Sequence, residues 1–397
     1  MKEAFFDFEE QVYLNCAAQG PFPKVTVDAI RNAIQLKSNP YTIEDTIYFD
    51  LPARVRKRAA RLIGARPEEI ALSTGASHGI NIAANGLPLT VGDEILVADR
   101  EFPANVYPWL NQEKRGVKTR IIKPEGRFIT PEDFERNISP RTKVIAVSFV
   151  NYANGYRADL KFIGKLCKNY NIYFVVDGSQ GVGGVPINVK ELGIDIMAVA
   201  GYKWLLSPYG SGFVYVRDAI LEKISVPEVN WARIKGAEDF NSLLKYKLEF
   251  CEGAPRFDYP ETANFLNNAA MEASLNFLLN VGVKKILAHC QSLLDYLIEN
   301  LPQDKFQIIS SLQAKHRSNF LSISAQSPED TAAAFRRLKE GHVHVSLRED
   351  ALRISPHVYN NRENIDKLCE LLSGNASFVS QHVLVSGAAH RKELRYR

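Results

Sequence analysis

Amphipathic segments and short apolar runs alternate along the chain from about residue 23 to residue 216. Segments with a hydrophobic period near 3.6 residues predict helices, and short apolar runs bounded by turn residues predict strands. The expected strands are residues 70–73, 94–98, 119–122, 144–148, 172–176, 194–200 and 212–216, and the expected helices are residues 25–36, 53–63, 76–87 and 160–169, with another beginning within 106–112. This alternation predicts an α/β fold with a mostly parallel seven-stranded sheet between layers of helices.

The pattern changes after residue 254. Long helical patterns are followed by short strand candidates and a final helix, which predicts a smaller α+β domain. The helices are expected at 264–279, 282–300 and 361–372, and the strands at 306–309, 320–324, 343–346 and 352–355. We expect a large domain over residues 22–254 and a small domain that combines residues 255–375 with residues 1–21. Residues 376–397 have no clear period, and we expect a loosely held tail there.

Composition excludes several classes of function. The chain has 397 residues, of which 46% are hydrophobic and 24% charged, as in ordinary globular proteins. The net charge of +4 is small and the basic residues are scattered, which argues against nucleic-acid binding. The five cysteines lack Cys-x-x-Cys spacing, so neither a disulfide framework nor a metal site is expected. No secretory signal or membrane-spanning stretch is recognisable, and we expect a cytoplasmic protein.

Two consecutive strand candidates end beside an acid and an amine. Asp177 ends the apolar run of residues 171–176, and Lys203 follows the run of residues 194–200. Because parallel strands open onto one crevice at their carboxyl ends, both side chains are expected to face the same site. The pair suits pyridoxal 5′-phosphate: the amine would hold the aldehyde as a Schiff base, and the acid would pair with the pyridinium nitrogen. Alternatively, Lys203 is a surface lysine and Asp177 a turn aspartate. The occurrence of both residues at consecutive strand ends favours the cofactor.

Other parts of such a site also have candidates. Gly75, Ala76 and Ser77 lie between a strand and a helix, where free backbone N–H groups bind phosphate, although a simple helix cap is the alternative. Phe102 follows the strand at 94–98 and would stack on the cofactor ring, unless it packs in the core. Arg353 is placed to bind a substrate carboxylate through a bidentate pair, or it is a surface arginine.

Together these segments resemble the class V aminotransferase family of fold-type I pyridoxal phosphate enzymes. The most specific match is residues 177–180, 193–195 and 201–215, with supporting matches at 13–23, 75–77, 101–109 and 353–360. The resemblance covers about residues 10–372 and is nearest to the branch that contains isopenicillin N epimerases and cysteine desulfurases. It implies the fold-type I architecture and a homodimer with each active site at the subunit interface.

The resemblance also implies residue roles. Lys203 would be the Schiff-base lysine and Asp177 the pyridinium partner, while Arg353 would bind the substrate carboxylate. The remaining cofactor-binding residues would be Gly75, Ala76 and Ser77 at the phosphate, Phe102 on the ring, Asn151 and Gln180 on the ring hydroxyl side, Tyr202 beside the lysine, and Thr262 reaching the partner's phosphate.

Departures from the family pattern concern the substrate. Phe102 stands where cysteine desulfurases usually have histidine, Tyr202 where the family often has histidine, and Ala200 where a phosphate-binding serine is usual. Residues 338–350 lack the cysteine that forms a persulfide in desulfurases, which disfavours sulfur transfer. The sequence therefore predicts an enzyme that acts at the α-carbon of an amino acid or amine by transamination, epimerisation or elimination. A cysteine desulfurase or C–S lyase and a non-catalytic dimeric relative remain alternatives.

Overall fold

The computed structural model of the chain describes residues 1–244 and 246–374. Its strands are β1 (Val12–Tyr13), β2 (Ile70–Ser73), β3 (Glu94–Ala98), β4 (Lys118–Ile122), β5 (Thr142–Ser148), β6 (Tyr173–Asp177), β7 (Ile196–Ala200), β8 (Gly212–Val216), β9 (Phe306–Ile308), β10 (Leu321–Ala325), β11 (Val343–His344), β12 (Ser346–Arg348) and β13 (Ala351–Ile354). Its α-helices are α1 (Lys24–Ser38), α2 (Ile47–Ile63), α3 (Ala76–Gly86), α4 (Tyr107–Leu110), α5 (Pro131–Glu135), α6 (Leu160–Tyr170), α7 (Phe265–Val281), α8 (Val283–Asn300), α9 (Pro328–Glu340) and α10 (Arg362–Ser373). The predicted tail at 376–397 lies outside the described residues.

A seven-stranded sheet forms the centre of the larger part of the structure, in the order β2-β8-β7-β6-β5-β3-β4. Strands β3 to β7 are parallel, whereas β8 runs antiparallel to both β7 and β2. Residues 201–211, which join β7 to β8, contain no helix. A parallel neighbour needs a longer crossover, usually a helix, so the short connection makes β8 antiparallel. The predicted mostly parallel α/β sheet is confirmed.

Alternate residues of each strand pack on opposite faces of this sheet, as the two-residue period of a strand requires. Ile145 and Val147 belong to the core that includes α2, α6 and α7, whereas Val144 and Ala146 belong to the core that includes α3 and Trp109. Both faces are therefore covered, and the central strands are buried throughout. The carboxyl ends of the parallel strands form one edge of the sheet.

A second, four-stranded antiparallel sheet has the order β12-β13-β10-β9 and packs against α8, α9 and α10. The N-terminal strand β1 pairs in parallel with β11, so the N-terminal segment joins the small sheet's part of the structure. The single strand predicted at 343–346 is instead two short strands in different sheets, and α9 was not predicted. The predicted domain boundaries at residues 22, 254 and 375 stay predictions.

The helix predicted to begin within 106–112 is also shorter than expected. Only α4 is α-helical, and a 3₁₀ turn follows it. Among residues 1–244 and 246–374, no helix combines the length and apolar character needed to cross a membrane.

The close approach of α6 to the chain near Leu192 gives a test of the fold. A Cβ atom added at Gly164 would lie 1.9 Å from the Leu192 carbonyl oxygen, whereas one added at the exposed Gly126 would meet nothing within 4 Å. We expect Gly164→Ala to lower the free energy of unfolding by about 1–3 kcal/mol because the helix must move. Gly126→Ala is the matched control and should change it by less than about 0.5 kcal/mol. Equal unfolding midpoints in urea for the two variants would contradict this packing.

Candidate active site

Lys203 lies just past β7, at the carboxyl edge of the sheet. The residue is buried, with 7% of its surface exposed. Its Nζ lies 5.2 Å from the centroid of the Phe102 ring and 5.6 Å from that of the Tyr202 ring. The amine thus lies close to two aromatic side chains, and Phe102 comes from the loop after β3.

The surroundings of Lys203 disfavour the charged form of its amine. Burial lowers the pKa of Lys203 to about 8, because a charged ammonium loses its hydration there. The Asp177 carboxylate opposes this shift, while the positive charges of Arg353 and Arg348 add to it. A substantial fraction of the amine is therefore neutral, and nucleophilic, near pH 8.

Asp177 is the last residue of β6, the strand next to β7. Its side chain is buried, and Oδ1 accepts a hydrogen bond of 2.9 Å from the backbone N–H of Ser179. Asp177 pairs in register with Ala198, five residues before Lys203. The predicted acid and amine are therefore brought to one crevice, as the parallel sheet requires.

Gln180 connects this crevice to two other parts of the chain. Its Nε2 donates to the Ala17 carbonyl at 3.0 Å, and its Oε1 accepts a hydrogen bond of 2.9 Å from Trp204 Nε1. One N–H of the amide remains to donate to a ligand, because an amide nitrogen carries two. Ala17 and Trp204 were missed as supporting residues, although both lie inside segments that carry the family resemblance.

Asn151 mainly shapes the loop after β5. Its Nδ2 donates to the Arg100 carbonyl at 2.9 Å, and its Oδ1 accepts backbone hydrogen bonds from Ala153 at 3.0 Å and Asn154 at 3.2 Å. These bonds tie the loop after β5 to the loop after β3. Its predicted contact with a ring hydroxyl stays a prediction.

Gly75, Ala76 and Ser77 lie at the start of α3, directly after β2. Gly75 has a φ of 146°, and the space where its Cβ would lie is open to a distance of 4 Å. The first-turn N–H groups of α3 have no partners within the helix and give this end partial positive charge. At Ala200, where the family pattern has serine, the backbone N–H donates to Ser179 Oγ at 3.3 Å.

Phe102 presents its ring to the site, with 40% of the residue exposed. The ring packs edge to face against Tyr152, with centroids 5.4 Å apart. Directly before it, Glu101 is buried and accepts hydrogen bonds from the Ser148 hydroxyl and, at 2.8 Å, from the Ser148 N–H. Burial raises the pKa of Glu101 to about 7. Sequence reasoning missed this anchor, and its position beside Phe102 was the available signal.

Tyr202 precedes the lysine and stacks on Tyr209, with ring centroids 3.8 Å apart and planes 13° apart. Burial raises the pKa of Tyr202. Its backbone carbonyl accepts a hydrogen bond of 2.8 Å from the Gly20 N–H. A Cβ atom on Gly20 would lie 2.1 Å from the Lys203 carbonyl oxygen, so only glycine permits the N-terminal segment to approach this closely.

Arg353 lies on β13 with 2% of its surface exposed. Its Nη1 donates to the Tyr152 carbonyl at 2.8 Å, and its Nη2 to Ser346 Oγ at 3.4 Å. Burial lowers the pKa of Arg353 to about 9, and the charge of Arg348 adds to the effect. No carboxylate within residues 1–244 and 246–374 forms an ion pair with Arg353. A buried guanidinium without a counterion favours an anionic ligand.

Thr262 lies elsewhere in the chain and is 1% exposed. Its hydroxyl accepts a hydrogen bond from Arg233 and donates to the Tyr259 carbonyl at 3.4 Å. Arg233 in turn pairs with the buried Asp258 at 3.2 Å. In the described part of the chain, no contact joins Thr262 to the group around Lys203. Its predicted role across a dimer interface stays a prediction.

Comparison with known proteins gives the family. The sequence model of the family described as Aminotransferase class-V matches residues 12–368. The chain belongs to this family. The match includes Lys203, Asp177 and Arg353, and the family predicted from the sequence is confirmed.

Relatives within the class V aminotransferase family have different names. The chain is 26% identical over 385 residues to a protein of Methanothermobacter thermautotrophicus named "Probable cysteine desulfurase", covering 91% of this chain and 94% of that protein. It is 24% identical over 376 residues to isopenicillin N epimerase of Streptomyces clavuligerus, with coverages of 91% and 94%.

Solved structures share the fold. A mutant of C-DES with glycine covalently linked to its PLP cofactor has a TM-score of 0.86 at 22% identity, covering 94% of this chain and 99% of that one. A complex of C-DES, a cystine C–S lyase, with its product cysteine persulfide has a TM-score of 0.83 at 23% identity, with coverages of 91% and 97%.

The cysteines bear on which class V chemistry is possible. Cys16, Cys167, Cys290 and Cys369 are buried, and Cys251 is partly buried. Cys16 comes near Lys203, with its Sγ 4.0 Å from the Lys203 carbonyl oxygen, and burial holds its pKa well above the usual value. A thiol of this kind is a poor nucleophile, because the thiolate is the reactive form.

The lowered pKa of Lys203 can be measured in the protein without cofactor. We expect acetylation of Lys203 by trace acetic anhydride, followed by peptide mass spectrometry, to be half-maximal near pH 8. Free Nα-acetyl-lysine in the same solution should be half-maximal near ~10.4, the ordinary pKa of a lysine amine. Asp177→Asn should move the Lys203 midpoint to lower pH, because the carboxylate raises the pKa of this amine. A midpoint for Lys203 that matches free Nα-acetyl-lysine would show that the amine is not buried as described.

Proposed function

We propose that the chain is a pyridoxal phosphate-dependent enzyme that acts at the α-carbon of an amino acid, with the cofactor attached at Lys203 Nζ. The observation that carries the proposal is the buried amine with its pKa lowered to about 8 beside the buried Asp177 carboxylate. Membership in the class V aminotransferase family supports it. In the related protein C-DES, glycine has been found covalently linked to this cofactor.

The residues present fit the cofactor by charge and by space. The open start of α3 at Gly75 offers N–H groups to a phosphate, and Asp177 offers a carboxylate to a protonated ring nitrogen. Phe102 offers an exposed aromatic face within 5.2 Å of the amine. When bound, pyridoxal phosphate supplies an electron sink for the electron pair left at a substrate α-carbon.

The chain's own residues then have distinct tasks. Lys203 holds the aldehyde and later moves a proton at the substrate α-carbon, which requires its neutral form. Asp177 keeps the ring nitrogen protonated through its negative charge. Arg353 binds and orients the substrate carboxylate, and Phe102 with Tyr152 excludes water from one face of the site.

The reaction at the α-carbon is transamination, epimerisation or elimination. We propose a C–S lyase as the second candidate, since elimination of a sulfur group needs no protein thiol. Sulfur transfer to a cysteine of this chain is disfavoured because the thiol near Lys203 is buried. The joint presence of Lys203, Asp177 and Arg353 argues against a non-catalytic relative.

We also propose that the enzyme is a homodimer. Residues 229–244 and 246–248 expose large apolar side chains, including Trp231 at 44%, Tyr246 at 88% and Leu248 at 70%, around a cavity of about 530 Å³. Exposed apolar patches of this kind mark association surfaces. The family resemblance implies active sites at a subunit interface. This supports a second copy of the chain as the partner that covers this surface, with Thr262 brought close to the partner's cofactor.

A cytoplasmic location completes the proposal. All five cysteines are free thiols, and none forms a disulfide. Unpaired thiols are typical of a reducing compartment.

Cofactor attachment has a direct test. We expect purified protein to absorb as a pyridoxal enzyme, and borohydride treatment to leave the reduced cofactor on the peptide that contains Lys203. Lys203→Ala should lose both signals because it removes the amine that interacts with Asp177, whereas Lys165→Ala, on the exposed face of α6, should keep both. Cofactor trapped normally in Lys203→Ala would disprove the proposed role of this lysine. Keto acid, racemised substrate or ammonia, measured after mixing with amino acids, then identifies the reaction.

The dimer has a separate test. Sedimentation equilibrium should give twice the chain mass of 44.6 kDa for the unmodified protein. Leu248→Asp should shift the equilibrium towards single chains, because the aspartate would be buried in the interface. Leu312→Asp is the matched control, since Leu312 is 53% exposed outside residues 229–248. A dimer of unchanged stability in Leu248→Asp would exclude this surface as the interface.

A further inference from the structure

A second arginine, Arg348, lies beside the arginine proposed to bind the substrate carboxylate. In the hairpin of β12 and β13, Ser346 pairs with Arg353 and Arg348 pairs with Ala351. Directly paired residues lie on one face of a sheet, and so do residues two apart on one strand. Arg348 and Arg353 are therefore diagonal neighbours on the same face, at the spacing of about 7–8 Å that long side chains can bridge.

Arg348 lacks a carboxylate partner within residues 1–244 and 246–374. Its Nη1 donates to the carbonyl of the adjacent Leu347 at 3.0 Å. The next acid along the chain, Glu349, pairs instead with Arg100 at 3.7 Å. The charge of Arg348 reaches the proposed site, because it lowers the pKa of both Lys203 and Arg353. Arg348 and Arg353 thus both place positive charge near the proposed site. Neither forms an ion pair with a carboxylate of the described residues.

A polar cavity of about 320 Å³ adjoins this pair. From the small sheet it is lined by Arg348, Ser324 and Gln307, the last two being directly paired across β10 and β9. From the large sheet it is lined by Arg100 and Ala153. The wall also contains Asp350 and Glu349, the latter paired with Arg100. The guanidinium groups of Arg100, Arg127 and Arg348 outnumber these two carboxylates, so the wall suits a polar side chain rather than a large apolar one.

One wall residue of this cavity lies directly beside a contact of Arg353 along the chain. Tyr152 packs its ring against Phe102, and its carbonyl accepts the hydrogen bond from Arg353. Ala153, the next residue, lines the cavity, and its carbonyl accepts a hydrogen bond of 2.6 Å from Ser322, which pairs with Arg353. The cavity and Arg353 therefore lie on the same face of the small sheet and share the Tyr152–Ala153 segment.

We infer that the substrate is an amino acid with a second carboxylate, which Arg348 binds while Arg353 binds the α-carboxylate. The inference rests on the proposed function and names its substrate class. Arginine suits the role because its planar guanidinium matches a carboxylate through two hydrogen bonds. The second carboxylate ends a short side chain, as in aspartate, glutamate or 2-aminoadipate, or lies across a disulfide, as in cystine.

The test compares acids with their neutral counterparts on the holoenzyme. L-aspartate, L-glutamate, L-2-aminoadipate and L-cystine are titrated against L-asparagine, L-glutamine and L-alanine, following the cofactor absorbance, for the unmodified protein and for Arg348→Gln, Arg348→Lys and Arg336→Gln. Calorimetry with the unreactive glutarate and butyrate measures binding apart from turnover. Arg336 is exposed on α9 and does not line the cavity, so Arg336→Gln controls for loss of charge alone.

The expected result is selective. Arg348→Gln weakens binding of the preferred diacid and of glutarate by roughly 10- to 100-fold, the effect of losing hydrogen bonds to a charged group. Amides, alanine and butyrate change less than about twofold, Arg348→Lys keeps part of the affinity, and Arg336→Gln matches the unmodified protein. A preference for cystine over the short diacids assigns the second carboxylate to the far side of a disulfide.

Two results would overturn the inference. If Arg348→Gln weakens monoacids and diacids equally, both arginines bind one carboxylate and the cavity has no anion subsite. If the unmodified protein binds glutarate no better than butyrate, no second carboxylate is recognised. Failure of the proposed function gives a different result, because the protein would then show no cofactor absorbance. The calorimetric comparison of glutarate with butyrate would still test the anion subsite.

Discussion

Burial of one ammonium group beside one carboxylate is the constraint on which the site depends. Lys203 is buried at the sheet edge with its pKa lowered to about 8, and Asp177 is the opposite charge that acts against this shift. Placing an amine there costs stability, because desolvation of a charge is only partly offset by a neighbouring one. A covalent bond between this amine and the cofactor would explain why the loss of stability is tolerated, since the neutral amine is the reactive form.

The fold supplies this geometry by bringing distant segments together. The parallel strands β6 and β7 place the acid and the lysine at one edge, and the small sheet adds Arg353 from its own face. The N-terminal segment closes behind the lysine through Gly20, and Gln180 joins that segment to Trp204. Glu101 fixes the loop that carries Phe102. Several groups of the site are therefore held by contacts from distant parts of the chain.

Sequence patterns predicted the parts of this arrangement that depend on local periodicity. The strands of the large sheet and the placement of Asp177 and Lys203 at its edge follow from apolar runs that end in polar residues. The direction of β8, the division of residues 343–346 between two sheets and the anchoring role of Glu101 depend on which strands pair and which carboxylates become buried. These features depend on tertiary contacts, which a local sequence pattern does not determine. The position of Arg348 beside Arg353 could not be predicted either, because it follows only from the pairing of β12 with β13.

The central claim is that Lys203 and Asp177 hold pyridoxal phosphate between them. A crystal structure of the holoenzyme at atomic resolution tests it most directly. The account predicts continuous density from Lys203 Nζ to the cofactor's aldehyde carbon, with an Asp177 oxygen within ~3 Å of the pyridine nitrogen. Density that joins the cofactor to another side chain, or a ring nitrogen turned away from Asp177, would contradict it.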